Sequence, residues 1–101
     1  KNWSSVVLWN CGHPSNEKIT VDLVNNPNYD GKYFHRFSWL KDEEIGKLSH
    51  EWNWLVGWYK APEDGEPKAL HYTEGGPWFK NYRHCEYGDI WKNYLAEMMK
   101  K

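Results

Sequence analysis

The chain has 101 residues, a formal net charge of −1 at pH 7 and 18% aromatic residues. This length predicts one small domain, and the near-neutral charge gives no electrostatic case for binding to nucleic acid or to an anionic membrane. No apolar run approaches the ~18 residues of a membrane-spanning helix.

The aromatic residues are the unusual part of the composition: eight Trp, seven Tyr and three Phe. Aromatic rings give a small domain a large buried area per residue, and they also stack on sugar rings. Because a chain of this size can hardly bury eight Trp, we predict that at least one lines a ligand-binding surface or a partner interface. The alternative is a core built entirely from rings.

The first half of the chain predicts short elements separated by polar loops. Residues 6–9 (Val-Val-Leu-Trp) predict a buried strand, and the loop that follows begins at Asn10. Thr20 is a suitable N-cap for a brief helix over residues 21–26. Residues 33–37 alternate between two faces, which predicts an extended segment.

The consecutive carboxylates of Asp42, Glu43 and Glu44 come next. Asp42 is the predicted N-cap of a short helix that ends at Gly46. Carboxylates at the start of a helix are typical of a solvent-exposed surface. A carboxylate also accepts paired hydrogen bonds from the vicinal hydroxyl groups of a ligand. One of these three carboxylates is therefore a candidate for binding a hydroxylated ligand.

The second half combines short extended segments with a helix. Apolar residues at three- and four-residue spacing near the C-terminus predict an amphipathic helix. The predicted elements, in order, are an extended or irregular segment over 51–59, a surface loop over 60–67, a strand over 68–73, a helical turn within 79–84 and the amphipathic helix over 87–99. Together they predict a single α+β domain spanning residues 1–101, with few short strands, short helices and a C-terminal helix.

The stretch from His71 to Phe79 carries the strongest local signal. His71 ends a predicted strand, and Gly75, Gly76 and a Pro-Trp pair follow it closely. One interpretation is a tight turn that packs Trp78. The other is a ligand site, since glycines allow backbone to approach a bound group and histidine is a common metal ligand.

Cysteine and histidine spacing indicates no self-contained zinc site. Cys11 and Cys85 lie in no CxxC pair, and the histidines show no H-x-H or H-x₃-H spacing. We expect free thiols in a reducing compartment, which predicts a cytoplasmic location.

The segment from His71 to Trp78 resembles the C-terminal signature H-x-x-G-x-x-K-P-W of retaining GT-A glycosyltransferases related to family 8. Residues 6–10, 39–45 and 48–53 resemble elements that precede this signature in the same order. The chain is still more similar to uncharacterised bacterial and phage glycosyltransferase-like proteins that have a K-N-W-x-S start and an H-[FY]-T-x-G-G-P-W-F segment. The resemblance covers most of residues 1–91.

This resemblance implies the acceptor-side, C-terminal half of a GT-A fold. It implies that His71 ligates Mn²⁺ in a complete enzyme, where the metal would neutralise the diphosphate of a sugar nucleotide. It also implies that Asp42 and Glu43 are candidate catalytic residues near the reacting sugar. The implied substrate-binding residues are Asn10, Asp42, Glu43, Trp52, Asn53, Gly75, Gly76 and Trp78.

The chain also departs from the pattern of that family. It contains no D-x-D motif, Gly76 replaces the signature lysine, and Ser49 stands where proline is usual. Because a single imidazole is one ligand of the roughly six that Mn²⁺ prefers, we expect this chain to bind no cofactor and to have no transferase activity alone. The expected partners are an N-terminal nucleotide-binding half or a second copy, together with a sugar nucleotide and a glycan acceptor.

Two alternative hypotheses follow from the residues. The first is a non-catalytic, aromatic-rich module that binds carbohydrate or protein. The second is an unrelated small α+β domain in which most rings are core.

Overall fold

The computed structural model describes residues 5–101. The first four residues of the K-N-W-x-S start, on which part of the resemblance rested, lie outside that range. The chain divides into two compact units, Lys1–Leu48 and Ser49–Lys101. The described part is a small mixed structure of helices and two parallel strands, which agrees with the predicted α+β class.

The first unit is built from short helices that begin at capping side chains. A 3₁₀ helix spans Pro14–Lys18, α1 spans Val21–Val24, α2 spans Gly31–His35 and a second 3₁₀ helix spans Asp42–Glu44. The Thr20 hydroxyl accepts the Leu23 N–H, as predicted, and the Asp30 carboxylate accepts the Tyr33 N–H. Each cap satisfies an N–H group that the first helical turn leaves without a partner.

Trp39 is the buried centre of this unit, with 8% of its surface exposed. The indole Nε1 donates to the Asn16 side-chain oxygen at 3.3 Å. Aromatic rings surround it, and those in contact belong to Trp9, Tyr33, Phe34 and Phe37. The helices are too short to bury much surface individually, so this ring cluster supplies the core.

The second unit contains the strands. After a 3₁₀ helix over His50–Asn53, β1 covers Trp54–Leu55 and pairs in parallel with β2, Leu70–His71. The register places Trp54 opposite Leu70 and Leu55 opposite His71. Trp54 is completely buried, and its ring contacts those of His50 and Tyr59.

The loop between the strands is fixed by Glu51. Its backbone carbonyl accepts N–H groups from Lys68 and Ala69, and its carboxylate accepts the Glu66 N–H at 2.7 Å. The Lys68 ammonium lies 3.2 Å from the same carboxylate. These contacts position the residues that lead into β2, so that β2 pairs with β1 in the observed register.

A 3₁₀ turn over Lys80–Tyr82 leads to α3, Gly88–Met99, which confirms the predicted C-terminal helix and the turn before it. Tyr87 precedes α3 in the left-handed conformation, with φ of 59°, and its carbonyl accepts the Tyr72 hydroxyl at 2.7 Å. Within residues 5–101, no helix combines the length and apolarity needed to cross a membrane.

Several predicted elements of the first unit are wrong. Residues 6–9 form no strand within the described chain, where no segment pairs with them. Residues predicted as extended over 33–37 lie largely in α2, because the Asp30 cap starts a helix there. Lys41 rather than Asp42 is the N-cap residue of Asp42–Glu44, and the Glu44 side chain reaches back to its N–H.

In the second unit, the predicted extended segments are shorter than expected. Residues 51–59 contain a 3₁₀ end, the two residues of β1 and a turn, and the predicted strand over 68–73 reduces to Leu70–His71. The prediction of a loop between them is confirmed.

Candidate functional site

The parallel strand pair brings the side chains of Asn53 and His71 into contact. Asn53 comes just before β1, and His71 ends β2 opposite Leu55, so the two residues are diagonal neighbours across the strands. The His71 Nδ1 and Asn53 Oδ1 atoms are 3.0 Å apart in a half-buried contact. An amide oxygen only accepts, so this contact is a hydrogen bond in the tautomer that carries its hydrogen on Nδ1, and Nε2 keeps its lone pair in that tautomer.

Histidine is a common metal ligand, but within residues 5–101 no further ligands converge with His71. Among residues 5–101, no group of three or more His, Cys, Asp or Glu is arranged to hold a metal ion. The Mn²⁺ role of His71 stays a prediction.

Gly75 and Gly76 allow the chain to pack its own aromatic rings. A Cβ at Gly75, where φ is 144°, would lie 2.8 Å from the Tyr82 ring. A Cβ at Gly76 would lie 1.9 Å from the Trp78 ring. These contacts give the two glycines a packing explanation, and their predicted approach to a diphosphate remains untested.

Trp78 is held by this packing and is still half exposed. Its ring contacts Tyr72 edge-on at 5.7 Å between centroids and Trp91 at 5.3 Å, and Phe79 lies beside it. Even so, 49% of Trp78 remains accessible to solvent. We call Tyr72, Trp78, Phe79 and Trp91 the Trp78 cluster.

Tyr72 anchors the Trp78 cluster to the rest of the unit. Its hydroxyl donates to the Tyr87 carbonyl, and burial, with a smaller contribution from Cys85, raises the pKa of Tyr72 above its ordinary value. The hydroxyl thus keeps the proton that this hydrogen bond needs. One face of the cluster is tied to the start of α3 by this bond and by Trp91.

Trp52 is the other predicted ligand-binding Trp. It is 46% exposed, and the Lys68 ammonium lies 5.6 Å from its ring centroid. Because Glu51 holds that ammonium, the cation is kept near the ring. A ligand at Trp52 would share the ring with this cation.

Asn10, Asp42 and Glu43 lie in the first unit and are exposed. The Asn10 side-chain oxygen accepts the Gly12 N–H. The Asn10 backbone carbonyl accepts the Asn16 side-chain amide and the His13 N–H, so Asn10 shapes its own loop. The described hydrogen bonds of Asn10 are therefore local ones that stabilise this loop.

Glu44 is the carboxylate that ties this loop to the second 3₁₀ helix. It accepts the Ser15 hydroxyl at 2.6 Å and the Lys41 N–H at 2.8 Å, and His13 Nε2 lies 3.9 Å away. The Ser15 hydrogen bond is the main cause that lowers the Glu44 pKa, followed by the bond from Lys41. The sequence prediction treated Glu44 only as one of three consecutive carboxylates, although a glutamate at the third position of a helix is typical of a side chain that accepts the N-cap N–H.

The comparisons with known proteins point to a plant relative. The chain is 47% identical over 104 residues to "Protein CDI" of Arabidopsis thaliana, and the match covers all of this chain. The chain spans 39% of the length of that relative. No protein-family model matches the sequence, and no solved structure matches it.

These findings correct the family predicted from the sequence. The prediction of a C-terminal GT-A half related to family 8, close to bacterial and phage proteins, is wrong, since the full-length match is to a plant protein and no glycosyltransferase family matches. The signature rested on one histidine, glycines and a Pro-Trp pair. In this structure Gly75 and Gly76 have a local packing role, which shows why such short spacing is weak evidence of ancestry.

Proposed function

We propose that the chain is a non-catalytic carbohydrate-binding module and that the Trp78 cluster is its sugar-stacking surface. The observation that carries the proposal is a Trp78 ring held by Gly76, Tyr72 and Trp91 yet 49% exposed. A ring held in place loses little conformational freedom when a ligand binds, so more of the contact energy contributes to affinity.

The chemistry of a pyranose suits this surface. One face of the sugar ring is lined by C–H groups, and the face of an indole carries partial negative charge, so stacking removes apolar surface of both from water. The exposed neighbour Phe79 extends the surface beyond one sugar ring. The cluster therefore fits an uncharged hexose, or a short oligosaccharide of such units.

Polar contacts for sugar hydroxyls are available in the same unit. His71 immediately precedes Tyr72 of the cluster, and its imidazole, in contact with Asn53, offers Nε2 as a hydrogen-bonding group whose role depends on the tautomer. Exposed tryptophans also suit a protein partner, but the fixed orientation of the Trp78 ring favours a ligand that presents an apolar ring face, as each unit of an oligosaccharide does. The glycosyltransferase-related function, with its sugar nucleotide, stays a prediction without a structural observation in its favour.

A cytoplasmic location belongs to this proposal as well. Cys11 and Cys85 are both free thiols, and Cys11 is exposed. Unpaired thiols are typical of a reducing compartment.

The first experiment is a titration of the chain with neutral mono- and oligosaccharides, followed through the indole N–H signals in NMR spectra. We expect the Trp78 signal to shift in a saturable manner. Trp78→Ala should weaken binding at least tenfold, equivalent to about 1.4 kcal/mol, because stacking anchors of this kind dominate affinity.

The matched control is Trp58→Ala, since Trp58 is 66% exposed on the turn after β1. This variant should bind as the unmodified chain does. Equal loss of affinity in both variants, or no indole shift with any sugar tested, would contradict the proposal. Nucleotide-sugar hydrolysis by the chain would instead favour the glycosyltransferase-related prediction.

A further inference from the structure

Tyr94 is an exposed aromatic side chain next to the Trp78 cluster. It lies on α3 three residues after Trp91, the member of the cluster whose ring contacts Trp78 at 5.3 Å between centroids. Residues three apart on a helix are neighbours on its surface, with about 5–6 Å between their Cβ atoms. Because Tyr94 is 70% exposed, the aromatic surface of the cluster continues along α3.

Trp91 lies between the two rings that are most open to a ligand. It is half-buried, whereas Trp78 is 49% exposed and Tyr94 is more exposed still. At 3.6 residues per turn, Tyr94 is about 60° around α3 from Trp91, so the two side chains share one side of the helix. One pyranose ring stacks on one aromatic ring, so only linked units can occupy the whole row at once.

We propose that the ligand of this surface is a linear oligosaccharide of at least three hexose units, stacked along Trp78, Trp91 and Tyr94. This inference rests on the proposed function, because it assigns further units of the same ligand to α3. Each added ring contact removes more apolar surface from water, while the translational cost of binding is met only once. The affinity should therefore grow with the length of the sugar chain.

The surroundings of Tyr94 suit a sugar unit. The Tyr94 hydroxyl can donate and accept hydrogen bonds, and the exposed carboxylate of Glu97, three residues further on, can accept bonds from vicinal hydroxyls. Ile90 and Met98, which are 43% and 65% exposed, add apolar contact for the C–H groups of the sugar. A wholly apolar partner would instead cover the polar groups without giving them hydrogen bonds, which is unfavourable.

The test is a calorimetric titration of the chain with cello-oligosaccharides and malto-oligosaccharides of one to five units. In the series that binds, affinity should rise at least tenfold between one and three units, equivalent to about 1.4 kcal/mol. Tyr94→Ala should weaken binding of the three-unit sugar about fivefold, as expected for the loss of one ring contact. The same variant should leave binding of the single sugar at Trp78 unchanged.

Two further variants control for the helix and for the tyrosine hydroxyl. Met99→Ala removes a 76% exposed apolar side chain about 140° around α3 from Tyr94, and it should bind every sugar as the unmodified chain does. Tyr94→Phe keeps the ring and should retain most of the length dependence. Alanine favours the helical conformation, and circular dichroism verifies α3 in each variant.

The outcomes distinguish this inference from the proposed function. Binding that depends on Trp78 but does not strengthen with chain length would overturn the role of Tyr94 and leave the proposed function standing. The same conclusion follows if Tyr94→Ala has no effect, or if it weakens single and three-unit sugars equally. Absence of binding by every sugar tested would overturn both.

Discussion

Each of the two units of this chain is built around a buried tryptophan, but the surroundings of that tryptophan differ between the units. In the first unit, Trp39 is surrounded by rings from short capped helices, and its N–H donates to Asn16. In the second, Trp54 lies within a parallel strand pair, where its backbone N–H donates to the Ala69 carbonyl and its indole Nε1–H has no partner among residues 5–101. Trp39 thus forms a core among rings on helices and turns, whereas Trp54 combines ring packing with the backbone pairing of a strand.

Removal of the central ring should give the largest effect in each unit. Trp54→Ala deletes a completely buried side chain, so we expect the free energy of unfolding to fall by about 3–5 kcal/mol. Trp39→Ala should cost a similar amount. Urea unfolding monitored by circular dichroism measures both changes.

Amide hydrogen exchange on the same variants tests the division into units. Trp54→Ala should reduce protection first within residues 49–101, and Trp39→Ala within residues 5–48. Loss of protection that is equal in both units, for both variants, would contradict separate cores.

A pair of glycine substitutions should change the stability by an intermediate amount. The pair distinguishes the loss of side-chain packing from the general effect of replacing glycine with alanine. Gly76→Ala places a methyl group 1.9 Å from the Trp78 ring, so the ring must move, at a cost of about 1–3 kcal/mol in unfolding free energy. Gly46→Ala in the first unit meets nothing within 4 Å and should change stability little. Thermal unfolding measures both, and equal effects would argue against the packing role of Gly76.

The smallest effect should be a pH dependence contributed by one glutamate in each unit. The Ser15 hydroxyl lowers the Glu44 pKa, and the Glu66 N–H, followed by Lys68, lowers the Glu51 pKa, in each case below the ordinary value of 4.5. A carboxyl whose pKa is lower in the folded state stabilises the fold above its unfolded pKa. That contribution is lost as the pH falls through the folded pKa.

We therefore expect stability to decrease below about pH 4.5, the ordinary carboxyl pKa. Glu44→Gln and Glu51→Gln should each make the difference in urea midpoint between pH 7 and pH 3.5 smaller. Glu43→Gln is the control and should leave that difference unchanged. A Glu44 or Glu51 variant with an undiminished pH difference would show that these hydrogen bonds add nothing to stability.

The sequence alone determined the local elements that its own side chains specify. The Thr20 cap, the turn over 79–84 and the C-terminal helix depend on neighbours within a few residues, so pattern and capping were enough to find them. The excess of tryptophan also indicated correctly that some rings stay exposed.

Only the tertiary structure decided what depends on distant residues. Residues 6–9 have a strand sequence, but a strand exists where a partner supplies hydrogen bonds, and no local signal reports that partner. The same holds for the Asn53–His71 contact and for Glu44, which distant segments bring to their partners. Gly75 and Gly76 likewise looked like a ligand turn, because a sequence cannot show that the atom beside a glycine belongs to the chain's own ring.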